Sequence, residues 1–198
     1  MIPKLRYNSP VILTFSLICI LVLFIPMLRP IDAAGQMSSA YGYLFVADKG
    51  FSSISDYLTL VTYIFGHADE AHLLGNLTFI LLLGPIVEEK YGGASLSLMI
   101  VVTAIVTALV HIFLFPTTGL LGASGIVFML IILVSFTNVH RGQIPVTFLL
   151  VAVLFIGKEI MESIEADNIS QLAHIIGGIC GGIFGFTIGK PRQIDTFA

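Results

Sequence analysis

From Tyr91 to His140 the chain runs for 50 residues without a single Asp, Glu, Lys or Arg. No soluble fold hides so long a run without a formal charge, so the medium around it is lipid. The break "FPTTG" (Phe115 to Gly119) divides the run into a helical hairpin. The rest of the chain agrees, with 57% hydrophobic residues and 11% charged, against about 25% charged in soluble domains. Its mean hydropathy is +1.01. At roughly 20 residues per span, 198 residues hold about five to seven transmembrane helices and no separate soluble domain. A nucleic-acid partner is excluded, because there is no basic run and the net charge is −3. A disulfide scaffold is excluded too, since Cys19 and Cys180 both fall in apolar stretches. The apolar runs are continuous rather than alternating, which argues against a β-barrel.

The expected fold class is an all-α polytopic membrane protein, one domain over residues 1–198. Six spans are predicted, at about 11–28, 72–87, 95–115, 122–138, 144–160 and 170–189, with a long outer loop over 29–66. The first span has an apolar core of 18 residues. That exceeds the usual 7–15 of a signal peptide, so a retained helix is expected. Cationic residues set the orientation. With the N-terminus inside, Lys4, Arg6, Lys90, Arg141, Lys190 and Arg192 are cytoplasmic, six of the nine in the chain. Both termini are therefore expected in the cytoplasm.

Ionisable and polar groups at membrane depth are costly and mark functional sites. Spans two, four and six carry His72 with Asn76, Ser124, and His174, each within the first turns of a helix descending from the outer face. Three helices thus bring Ser, His, His and Asn to one shallow depth. His72 and Asn76 are four apart and share a helix face. Ser124 sits in "GASG" (Gly122 to Gly125), and His174 opens a helix with Gly177, Gly181, Gly185 and Gly189 at every fourth position. Such small residues allow helix backbones to approach closely. If spans four and six pack through them, Ser124 reaches the His174 imidazole, the base that a serine nucleophile needs. His72 and Asn76 are then placed to donate to an oxyanion. With no carboxylate in spans three, four or six, the arrangement is a Ser–His dyad, and Phe128, one turn below Ser124, is placed to stack on His174.

"HLLGN" (His72 to Asn76), "GASG" and "AHIIGGICGG" (Ala173 to Gly182), in that order on spans two, four and six, resemble the rhomboid intramembrane serine proteases. The resemblance covers nearly the whole chain and implies the minimal bacterial six-span layout. It implies Ser124 as nucleophile and His174 as general base and acid. The implied oxyanion hole comes from the Ser124 amide with the His72 and Asn76 side chains. Gly122 is expected to offer a further backbone donor, and His67, in "GHADEAH", to brace the first loop. The implied partners are transmembrane protein substrates within the bilayer, with the site opening to the outer face of a bacterial inner membrane; no cofactor and no metal are implied. Three departures stand out. The chain has no tryptophan, so the Trp-Arg pair common in the family's first loop is absent. The stacking aromatic, often Tyr, is Phe128, and the first loop otherwise differs from typical members. One branch of the family processes C-terminal sorting tails, a place this small chain could fill.

Two other readings use the same residues. A transporter could line a polar path with His72, Asn76, Ser124 and His174, although the inner halves of the spans are uniformly apolar. A non-catalytic relative could bind client helices, although such relatives typically lose the serine or histidine. A metalloprotease would need His-Glu-x-x-His, which does not occur. An aspartyl enzyme would need two aspartates within spans. The spacing of His67, Asp69, Glu70 and His72 matches no metal site. His111, His140, Glu88, Glu89 and Lys158 read as structural.

Overall fold

A computed structural model describes residues 7–24, 39–47, 51, 53–136 and 168–188, with positions 146, 150, 153 and 154 between the last two segments. The elements are α1 (Pro10–Phe24), α2 (Ser39–Phe45), α3 (Ile54–Thr62) with a 3-10 turn (Tyr63–Phe65), α4 (Glu70–Tyr91), α5 (Gly93–Leu114), α6 (Ser124–Phe136) and α7 (Asn168–Thr187). Among the described residues there is no strand, only an isolated antiparallel bridge between Ala47 and Leu120. The fifth predicted span, His140 and the Lys158 cluster lie outside the described residues, apart from those four positions.

α4 and α5 have 22 residues each, with mean hydropathies of 1.5 and 2.5 in their most apolar windows. At 1.5 Å per residue each measures about 33 Å, enough for a hydrocarbon core ~30 Å thick. The apolar stretches of α1, α6 and α7 are shorter. The core is apolar, but it also holds polar side chains, and large apolar ones face outward. Asn76, Thr103, Thr107, His111 and Gln171 are buried, while Leu74 (68%), Phe113 (85%) and Phe186 (74%) are exposed. Polar groups inward and large apolar side chains outward is the arrangement that lipid selects.

Local chemistry sets the helix ends. Asp69 caps α4 by accepting the His72 N–H at 2.8 Å. Gly92, with φ +82°, closes α4 and is the only residue between it and α5. Glu88, buried near that end, accepts the Val11 and Ile12 N–H groups at 3.0 Å each, so its carboxylate caps α1. Gly84 lies directly against the Ile12 side chain, which lets α1 and α4 approach.

The stretch expected as a long loop over 29–66 contains α2 and α3, a correction with a local cause. Ser53 and Asp56 form a capping box, with the Ser53 N–H and Oγ donating to the Asp56 carboxylate at 2.9 and 2.7 Å. Thr62 donates to the Leu44 carbonyl and ties α3 to α2.

Candidate active site

The contact between α6 and α7 is made by glycines. A Cβ on Gly177 would lie 2.8 Å from the carbonyl carbon of Gly125, and one on Gly181 would lie 2.6 Å from the Met129 oxygen. Residues 125 and 129 meet 177 and 181 in the same order, so the two helices run parallel with their backbones touching. Gly125 also abuts the Ala173 carbonyl. The next residue on α7, His174, therefore lies level with the first turn of α6. Its ring packs on Phe128 with centroids 4.3 Å apart and planes tilted by 39°.

Ser124 is the first residue of α6. Ala123 accepts the Val127 N–H at 3.0 Å, so the amides of Ser124 and Gly125 stand at the free, partially positive end of the helix. The start of α4 lies against the residues that lead into α6. A Cβ on Gly122 would lie 2.7 and 2.8 Å from Cε1 and Nε2 of His72, and 3.9 Å from Nδ2 of Asn76. Gly122 has φ +110°, so glycine is required both by the backbone and by the imidazole against it. Asn76 is buried, and its Nδ2 has no hydrogen-bond partner among the described residues. The structure thus gathers Ser124, His72, Asn76, Phe128 and His174 at one end of the bundle.

A family model, the Rhomboid domain, matches residues 55–191. The chain belongs to the rhomboid family. It is 26% identical over 130 residues to Rhomboid protease GlpG of Haemophilus influenzae, covering 64% of this chain and 67% of that protein. It is 26% identical over 145 residues to Rhomboid-like protein 11, chloroplastic, of Arabidopsis thaliana, covering 66% and 52% respectively. It is 29% identical over 137 residues to Rhomboid-related protein 1 of Caenorhabditis elegans, covering 64% and 38%. The chain therefore spans about two thirds of the bacterial relative and about half or less of the other two. Rhomboid membership makes it a multi-pass helical membrane protein.

One expectation within this rhomboid domain is corrected. The Gly122 N–H donates to the Tyr63 carbonyl at 3.0 Å, so it is committed to the scaffold and is no further donor to the site. Tyr63 in turn donates from its hydroxyl to the Ala104 carbonyl at 3.2 Å, anchoring that carbonyl to α5. Sequence reasoning did not single out Tyr63, and a main-chain acceptor leaves no sequence signal.

His67 is fully buried beside the site. Its N–H donates to the Tyr41 hydroxyl at 2.5 Å, and that hydroxyl donates to the His67 carbonyl at 2.8 Å, which pins α2 to the start of α4. The His67 ring meets the His72 ring edge-on, with centroids 5.0 Å apart and planes at 69°. Burial pushes the His67 imidazole down to about 4; the neighbouring His72 adds to this, and the Phe65 carbonyl and Asp69 oppose it. His67 is therefore neutral at physiological pH. His111, on α5, is buried and bonded through Nε2 to the Thr118 carbonyl at 2.9 Å.

Proposed function

We propose that this rhomboid-family protein is an intramembrane serine endopeptidase that cleaves transmembrane segments of membrane proteins near the outer face of a bacterial inner membrane. In this reading the chain forms one domain of six spans with both termini in the cytoplasm. Ser124 attacks the scissile carbonyl as His174 takes its proton. The Ser124 amide, at the positive end of α6, and the side chains of His72 and Asn76 receive the oxyanion. His174 then protonates the leaving amine, and water from the outer face hydrolyses the acyl-enzyme.

The observation that carries this reading is the glycine contact of α6 with α7. It sets His174, through its stack on Phe128, level with the helix end that holds Ser124. The unpartnered Nδ2 of Asn76 beside Gly122 supports the oxyanion role. The relative named as a rhomboid protease supports the reaction class. The test is labelling of the detergent-purified protein with a fluorophosphonate, beside Ser124→Ala and His174→Ala. Labelling of the wild type that both variants lose, in folded protein, is the expected result. A folded wild type that stays unlabelled shifts the reading to a client-binding relative.

A further inference from the structure

α2 presses on Gly66 and His67, which lead into α4. Gly66 has φ −77° and ψ 141°, a conformation open to any residue, so its backbone does not call for glycine. Its surroundings do. A Cβ there would lie 2.9 Å from the Cβ and the carbonyl oxygen of Phe45, and 3.0 Å from the Tyr41 hydroxyl. His67 is fully buried, and its N–H and C=O both pair with that one hydroxyl, at 2.5 and 2.8 Å. The main-chain bonding of α4 starts beyond it, where Asp69 accepts the Leu73 N–H at 3.1 Å. Tyr41 is itself fully buried, in a cluster with Val22 and Val46 against which Leu121 packs. Leu121 directly precedes Gly122, so the cluster that holds the Tyr41 ring also meets the lead-in to Ser124.

We propose that Tyr41, through its hydroxyl, is a positioning residue for the oxyanion donors on α4: by holding the main chain of His67 it sets how close His72 and Asn76 stand to Gly122 and Ser124. This deepens the protease reading above and rests on it. His67 lies just before the α4 cap, Asp69, which accepts the His72 N–H at 2.8 Å, and its ring meets that of His72. A displacement of the His67 main chain therefore carries to His72, and through the helix to Asn76 one turn on. The tolerance is small. The His72 ring lies 2.7 and 2.8 Å from the place of a Cβ on Gly122, and a donor serves an oxyanion only within hydrogen-bond reach. Phenylalanine at position 41 keeps the ring in its cluster and removes both bonds. The buried N–H and C=O of His67 must then move to find other partners.

Fluorophosphonate labelling of Ser124, resolved into a binding constant and a maximal rate, separates this role from bracing. Tyr41→Phe is expected to lower the maximal rate about tenfold with the binding constant unchanged, short of the ~10²-fold cost of losing an oxyanion donor outright. In an Asn76→Ala background the same substitution is expected to cost about threefold or less, because residues that act on one interaction are not additive. Gly66→Ala keeps the hydroxyl and pushes α2 away, and is expected to follow Tyr41→Phe in both backgrounds. Glu88→Ala removes the α1 cap at the other end of α4; it controls for lost stability and is expected to label at the wild-type rate. A wild-type rate in Tyr41→Phe, an undiminished loss on top of Asn76→Ala, or an equal slowing in Glu88→Ala would overturn the proposal. Misfolding of both Tyr41→Phe and Gly66→Ala would make α2 a brace of the whole fold and overturn it too. A second readout needs no activity. In 15N-histidine-labelled protein, the ring-nitrogen NMR signals of His72 are expected to shift in Tyr41→Phe while those of His111 on α5 stay in place; unmoved His72 signals would overturn the proposal. Shifted His72 signals beside a folded wild type that does not label would sink the protease reading and leave the positioning of His72 standing.

Discussion

Gly177→Ala tests whether the α6–α7 contact sets the geometry of the candidate site. The added Cβ would lie 2.8 Å from the Gly125 carbonyl carbon and 3.0 Å from its Cα. Both are backbone atoms, so no side chain can rotate away. Ordinary contact begins at 3.4 Å, so the helices must part by about 0.6 Å or more, because close-packed interiors absorb little of such a shift. Overpacking of this kind costs about 1–3 kcal/mol, and a shift approaching 1 Å between reacting groups costs roughly 10²-fold in rate. The expected result is a ten- to hundredfold loss of fluorophosphonate labelling at Ser124. Gly182→Ala, on the same helix with nothing within 4 Å of its Cβ, is the control. It adds the same methyl and the same helix propensity without touching α6. Equal labelling of wild type and Gly177→Ala, or equal losses in the two variants, would refute the argument that this contact aligns Ser124 with His174.

Asn76→Ala should slow labelling by roughly 10²-fold with no loss of fold, as removal of one oxyanion donor does; a wild-type rate would take Asn76 out of the site. Glu88→Ala leaves the Val11 and Ile12 amides unpaired at the end of α1 and should lower thermal stability by about 1–3 kcal/mol; an unchanged melting temperature would mean that α1 is held without this cap. The folded state keeps His67 neutral down to about pH 4, whereas the unfolded chain takes up the proton near 6.5. That stabilisation is complete above pH 6.5 and is lost as pH falls toward 4, up to about 3 kcal/mol. Melting in detergent across this window should show the loss, and His67→Gln should flatten it; an equal slope in the variant would assign the loss to other groups.

Two long apolar helices were legible because lipid imposes a simple rule on sequence: about 20 apolar residues, with polar groups only where they face inward. α4 and α5 occupy Glu70–Tyr91 and Gly93–Leu114, close to the predicted 72–87 and 95–115. The α6–α7 contact was legible because close helix approach requires small residues, and glycines at every fourth position leave little else to form. The short helices of the first loop were not legible from hydropathy. α3 depends on the Ser53–Asp56 box, a four-residue signal within a mixed stretch, and α2 is held from outside by His67 and Thr62, which bond its Tyr41 and Leu44.

Main-chain hydrogen bonds join the first loop to the serine's lead-in, beside the apolar packing of Leu120 and Leu121. Ala47 and Leu120 exchange backbone hydrogen bonds at 3.0 and 3.1 Å, and Gly122 donates to the Tyr63 carbonyl. Leu120 and Gly122 flank the turn that delivers Ser124 to the end of α6, so both bonds constrain where that turn sits. Backbone pairing is indifferent to side-chain identity, which is why a first loop without tryptophan can still hold this turn. A side-chain link, Tyr41 to the main chain of His67, reaches the site on its other flank, at the start of α4. The loop therefore grips both His67, whose ring meets that of His72, and the lead-in to Ser124.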